Sequence, residues 1–200
     1  MSTFDGRAKQ WDSPERAAMA SSISLCMLTG LRLNGGMTAI DFGAGTGLVT
    51  FEIAKRVGNI TALDSSAGMI DVLLEKIKNN GVKNADAMLY DIEKDSVVID
   101  AVDIVVSSMA MHHVQDIRKL AKKLYSMMKT GGQLAMADLE KEDGSFHDGN
   151  SSGVMHHGFE RNSLETDFKA AGFGNIRFST AYKASRGDRE YPVFLMFAEK

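Results

Sequence analysis

The residue types and spacing that most directly suggest chemistry lie in the run Asp41-Phe42-Gly43-Ala44-Gly45-Thr46-Gly47-Leu48. It follows a short apolar run and opens an amphipathic one, the context of a strand-to-helix turn. Glycines there let the backbone turn sharply and let a ligand approach main-chain amides. The spacing is Gly-x-Gly-x-Gly. A dinucleotide fingerprint needs its third glycine where Leu48 stands, and no Gly-Lys-Ser/Thr follows, so the turn is not a P-loop. Taken alone, such a turn also fits a purely structural role. Asp64, however, ends the next apolar run about 20 residues beyond Gly43, where a carboxylate can accept bonds from both hydroxyls of a ribose. Asp91 ends a third run, where a carboxylate can meet an adenine amino group. Three acids at the carboxyl ends of adjacent strands occupy the place where open parallel sheets bind ligands.

The five histidines fall in two groups. His112 and His113 follow a fourth apolar run; either could act as a general base or orient an acceptor, or simply fill a turn. His147, His156 and His157 lie in the segment 139–162, a connection long enough to suggest a functional wall or lid. Asp143, Asp148 and these histidines match no standard metal-ligand spacing, so no metal is expected. His156 or His157 is expected to face an acceptor pocket, leaving His157 a weak catalytic candidate beside His112 and His113. Phe4, Trp11 and Tyr182 are candidates for that pocket's lining or for the core. Lys119, Lys122 and Lys123 read as a solvated helix face.

These residues need elements to hold them. Asp12 or Ser13 can cap a first helix with Pro14 in its first turn, an apolar stripe at Ile23, Met27 and Leu31, and a stop at Gly35-Gly36. Strands are expected at 38–42, 59–64, 87–90, 102–106 and 134–137. They alternate with helices marked by Leu48, Phe51 and Ala54; by Met69, Ile70, Leu73, Leu74 and Ile77; and by Ile117, Leu120, Leu124 and Met128, the last stopped by Gly131-Gly132. Continuous apolar strands between amphipathic helices imply a parallel sheet covered on both faces and doubly wound. The tail differs: a helix begun by Asn162 or Ser163, then strands at 176–182 and 191–198 joined by 183–190, an antiparallel hairpin.

Composition narrows the class. The chain has 200 residues, 44% hydrophobic and 24% charged, with a net charge of −3. One domain over 1–200 is expected, with 1–36 as a helical cap and 139–162 on the substrate side. The acidic balance argues against nonspecific binding to nucleic acid. The single cysteine, Cys26, allows no intrachain disulfide, which fits a reducing compartment. No apolar stretch is long enough for a membrane span, and residues 1–6 lack a signal-peptide layout. The expected location is cytoplasmic.

With these residues in view, the sequence resembles the class I S-adenosylmethionine-dependent methyltransferases, small-molecule branch. The resemblance covers nearly the whole chain and implies an α/β fold with a doubly wound, seven-stranded, mostly parallel sheet and an antiparallel last strand, order 3-2-1-4-5-7-6. It implies S-adenosylmethionine as cofactor. The turn at Asp41, Gly43, Ala44 and Gly45 would lie beside its methionine part, Asp64 would hold the ribose, and Ser65 and Met69 would flank the adenosine. Asp91 and Ile92 would read the adenine. Ser107 to Val114 resembles the fourth-strand motif and would add Ser107 to the cofactor site. Departures limit the acceptor: no Asn/Asp-Pro-Pro-Tyr/Phe segment follows the fourth strand, no paired-glutamate loop is recognisable, and one cysteine is too few for arsenic methylation. The metal-dependent catechol type is excluded by Ser107 and Asp138-Leu139. A small-molecule acceptor is expected. Protein or RNA methylation, non-catalytic cofactor binding and nicotinamide chemistry are the alternatives.

Overall fold

Thr38–Phe42 and Asn59–Asp64 form strands β1 and β2 at the expected residues. Each is an apolar run closed by a polar turn, and both pair in parallel, Thr38 with Asn59 through Phe42 with Leu63. The computed structural model describes residues 4–96, 100–147 and 152–200. Around β1 and β2 stand β3 (Ala85–Leu89), β4 (Val102–Ser108), β5 (Met128–Leu139), β6 (Gly174–Arg186) and β7 (Arg189–Glu199). They make one seven-stranded sheet in the order β3-β2-β1-β4-β5-β7-β6. The pairs from β3 to β5 are parallel, and β7 runs antiparallel to both β5 and β6. The expected topology is present.

Helices α1 (Pro14–Gly30), α2 (Thr50–Ala54), α3 (Ala67–Asn79), α4 (Ile117–Ser126) and α5 (Arg161–Ala171) flank the sheet. Their starts follow capping chemistry: the Ser13, Ser66 and Asp116 side chains accept from the backbone N–H groups of Arg16, Met69 and Lys119. Two apolar layers result. One joins Leu120, Leu124, Leu164 and Phe168 to one sheet face; the other joins Ile23, Met27, Val49 and Ile53 to the opposite face.

Several boundaries differ from expectation. α1 ends at Gly30 rather than at Gly35-Gly36. A Cβ on Gly30 would lie 2.1 Å from the Phe197 ring, so the helix presses its end on β7, and Leu31 turns extended. The Gln133 side chain then accepts from the Arg32 N–H at 2.9 Å and donates to the Arg32 carbonyl at 3.0 Å. Its amide substitutes for a neighbouring strand. The buried face of α2 comprises Thr50, Ile53 and Ala54, flanked by Val49 and Val57, while Leu48 and Phe51 are only half-buried. Met128 belongs to β5, not α4, because three extra residues bulge out between the pairs Val102–Met128 and Ile104–Gln133. α5 starts at Arg161 without a side-chain cap. The last two strands run on through the expected connection to Arg186 and Arg189, burying Ala184 and Tyr191 and leaving a two-residue turn.

Lys119 and Lys123 do more than face solvent. Lys119 donates to the Glu93 carbonyl, and Lys123 to the carbonyls of Ile92 and Asp95, so α4 holds the loop that follows β3.

Candidate functional site

A cleft of about 470 Å3 opens at the carboxyl ends of the parallel strands, within the size range of small-molecule and cofactor pockets. One part is lined by Asp41, Gly43, Ala44, Gly45, Asp64, Ser65, Met69, Asp91 and Ile92. All of these are residues expected at the cofactor; Ser107, expected with them, does not line the cleft. Ser107 is buried and donates its hydroxyl to the Phe42 carbonyl at 2.7 Å, tying β4 to β1; Ser108 lines the cleft instead.

The glycine turn has the conformation its composition requires. Gly43, Gly45 and Gly47 have φ of 68°, 56° and 89°, and a Cβ on Gly43 would meet Ala110 at 2.2 Å. The turn is fastened from below by the N–H groups of Gly43 and Ala44 on the Leu63 carbonyl, at 2.8 and 3.0 Å. Asp64 accepts from the N–H groups of Gly45 (2.8 Å) and Ser66 (2.9 Å). Burial nevertheless pushes its carboxyl above the usual range. With the Ser65 N–H, the Gly45 and Ser66 groups make three backbone donors on a carboxylate that has about four acceptor positions, so Asp64, which lines the cleft, can still accept from a ligand. Asp41 is fully buried against the Thr50 hydroxyl, 2.6 Å away, and burial pushes its carboxyl up to about 7. Asp91 is more open. Burial is outweighed there by the Lys94 ammonium and the Glu93 N–H, which hold its carboxyl below the usual range.

Across the cleft mouth lies the segment before α1, a 3-10 turn at Asp5–Gln10 followed by Trp11. Asp5 accepts from the Ser66 hydroxyl and the Gly68 N–H, and Asp12 from the Thr46 hydroxyl and Lys76. Phe4 and Trp11 line the cleft; their rings meet edge-on at 5.6 Å. Tyr182 packs into the core instead.

The histidines assort differently from expectation. His112, His113 and His147 line the cleft; His156 and His157 do not. His156 is turned away by a 3.0 Å bond from its Nε2 to the Val114 carbonyl, and His157, half exposed, lies 3.6 Å from Glu142. His112 donates from Nδ1 to Asp138 at 2.7 Å, and its backbone N–H donates to the same carboxylate at 3.0 Å. With the Leu139 N–H, Asp138 receives three donors; these and the His112 ring hold it below the usual range despite complete burial. His113 bonds through Nδ1 to the Gly153 carbonyl at 2.7 Å, so that nitrogen carries the proton and Nε2 keeps a lone pair. Burial, then the His112 ring, push its value down to about 4. His147 Nε2 is buried without a partner, its ring 5.2 Å from His112. Nothing in the spacing of His147 marked it out; the short turn Ser145–His147 aims it inward. Asp148, Gly149 and the rest of 148–151 lie outside the described residues. Among the described residues no group of three or more His, Cys, Asp or Glu side chains is placed to hold a metal.

Comparison with known proteins agrees with this geometry. Residues 39–132 match the model of a methyltransferase domain. An uncharacterised methyltransferase of Schizosaccharomyces pombe is 31% identical over 176 residues, covering 80% of this chain and 62% of that protein. Phosphoethanolamine N-methyltransferase 1 of Triticum aestivum is 31% identical over 66% of this chain and 25% of its own length. The chain thus spans less than two thirds of these relatives. Among solved structures, a SAM-dependent methyltransferase from Aquifex aeolicus aligns with a TM-score of 0.72 and 22% identity, covering 97% of each chain. Phosphoethanolamine N-methyltransferase 2 of Haemonchus contortus, in complex with S-adenosyl-L-methionine, aligns with 0.77 and 16% identity over 100% of this chain and 60% of that one. The glycine turn, the acids at successive strand ends, the reversed seventh strand and these relatives support one conclusion: a class I S-adenosylmethionine-dependent methyltransferase, with residues 39–132 matching its methyltransferase domain.

Proposed function

We propose that the protein transfers a methyl group from S-adenosylmethionine to a small-molecule nucleophile. The observation that carries this reading is the cleft at the strand ends, with the cofactor-type residues on one side and three histidines on the other. In it, Asp64 would accept from the ribose hydroxyls, Asp91 and the Ile92 amide would face the adenine, and Ser65 and Met69 would flank the adenosine. Asp41 and the Gly43–Gly45 turn border the methionine part. The bound cofactor supplies a sulfonium methyl: the nucleophile's lone pair forms the new bond to carbon, and the electrons of the broken C–S bond stay on sulfur. Much of the rate then comes from holding the nucleophile in line. His113, neutral at pH 7 with Nε2 unprotonated, can take a proton from an acceptor that arrives protonated. Asp138 fixes the ring of His112 beside it. The relatives named for phosphoethanolamine support a small acceptor. The lone cysteine supports a cytoplasmic location for this activity, and no helix among the described residues is long and apolar enough to cross a membrane.

Calorimetric titration tests the reading. S-adenosylhomocysteine should bind and NAD should not. Asp64→Ala should weaken S-adenosylhomocysteine at least about tenfold, since bonds to a charged acceptor are worth about 1.5–3 kcal/mol each. An unchanged Kd in a folded variant would refute the role of Asp64.

A further inference from the structure

Three arginines from separate segments also line the cleft: Arg7 in the 3-10 turn, Arg16 in the first turn of α1 and Arg186 at the end of β6. They gather in a protein whose net charge is −3. Arg16 stacks on the Trp11 ring at 4.2 Å and donates to the Trp11 carbonyl at 3.0 Å. Among the described residues, no carboxylate forms an ion pair with Arg7 or Arg16. Among the described residues, Arg186 forms an ion pair with Glu15 alone, at 3.3 Å in an exposed pair that a ligand can displace at little cost. The Arg186 guanidinium lies 5.3 Å from the Phe146 ring centre, and its Nε–H is buried with no acceptor. A buried donor without a partner is costly, and an oxygen entering the cleft would supply one. Arg16 also sits at the positive end of the α1 dipole, which adds to the attraction for an anion. Burial, then Arg186 and Arg7, lower the value of Arg16, and Glu15 and Asp12 offset this in part, so an added anion would relieve the crowding of positive charge further.

The cofactor carries one carboxylate, which can neutralise one guanidinium. Arg186 comes from β6, at the sheet edge opposite the acids of β2 and β3, and stands with Phe146 beside His147. We propose that Arg186 and Arg16, with Arg7, form a subsite for an anionic group on the acceptor, a carboxylate or a phosphate monoester. Arginine forks suit both groups because they can bind two oxygens at once. The inference rests on the methyltransferase reading, since it assigns the anion to the molecule being methylated.

Inorganic phosphate is the probe, titrated by calorimetry into the free protein and into protein saturated with S-adenosylhomocysteine. The saturated wild type should bind phosphate. Arg186→Gln should weaken that binding at least about tenfold while S-adenosylhomocysteine affinity, which also reports folding, stays within about twofold. Arg186→Lys should recover only part of the phosphate affinity, because it restores charge without the fork. Two results would overturn the proposal: no phosphate binding by the saturated wild type, or an equal loss of S-adenosylhomocysteine affinity in the Arg186 variants. The latter would assign the arginines to the cofactor's own carboxylate. If S-adenosylhomocysteine does not bind the wild type, the methyltransferase reading fails; phosphate binding lost in Arg186→Gln would still identify the anion subsite.

Discussion

Replacing His113 by leucine should change how the protein's stability depends on pH. In the unfolded chain the imidazole takes a proton near 6.5; in the folded protein burial delays this to about 4. Between these values the unfolded state holds the extra proton, so stability falls as the pH is lowered. The contribution is complete above pH 6.5 and lost on reaching about pH 4. At 1.36 kcal/mol per pH unit the loss amounts to about 3 kcal/mol. The wild-type curve alone would hide it. Asp41 shifts the other way, from 3.8 to about 7, because burial disfavours its charge, so its contribution is lost as pH rises through that window. The two slopes oppose each other. Urea unfolding of wild type and His113→Leu at a series of pH values separates them, since Asp41 is common to both. The stability difference between the two proteins should shift by more than about 2 kcal/mol between pH 7 and pH 4.5, moving in favour of the variant at low pH. A difference constant with pH would refute the assignment of a buried, neutral His113, and with it the proton-accepting role.

Further substitutions probe the packing around the cleft. Asp138→Asn should cost about 3–5 kcal/mol, because three buried donors lose a charged acceptor; thermal unfolding should show a Tm lower by roughly 6–20 °C, and a shift under about 2 °C would contradict the network. Gly30→Ala should cost about 1–3 kcal/mol in urea unfolding, since the new Cβ must displace the Phe197 ring. Gln133→Leu should cost about 1–3 kcal/mol by leaving the Arg32 N–H and carbonyl without partners; an unchanged unfolding midpoint would mean that water replaces the amide.

What could be read in advance follows from range in sequence. β1 and β2 were legible to the residue because each is a local apolar run ended by an acid or glycine. The acids at their ends, with the glycine turn between, made one wall of the cleft legible for the same reason. Met128 misled because its spacing continues the α4 stripe, while the bulge that moves it into β5 depends on pairing with β4. Ser107 and Ser108 are adjacent, and only the pleat of β4 decides which one faces the cleft. His147 and the arginines were illegible in a stronger sense. Arg7, Arg16 and Arg186 meet through the whole fold, and no local periodicity records that.

The segment Asp5–Trp11 has a kinetic consequence. It is clasped at both ends, by Asp5 on Ser66 and Gly68 and by the adjoining Asp12 on Thr46 and Lys76, and its own Ala8 is buried. For a ligand held beneath this segment, departure would depend on the clasp opening, and residence time and equilibrium affinity would become separate properties. Loosening either carboxylate would then shorten the stay of such a ligand. Where product departure limits the cycle, such a change would quicken turnover even as it weakened binding.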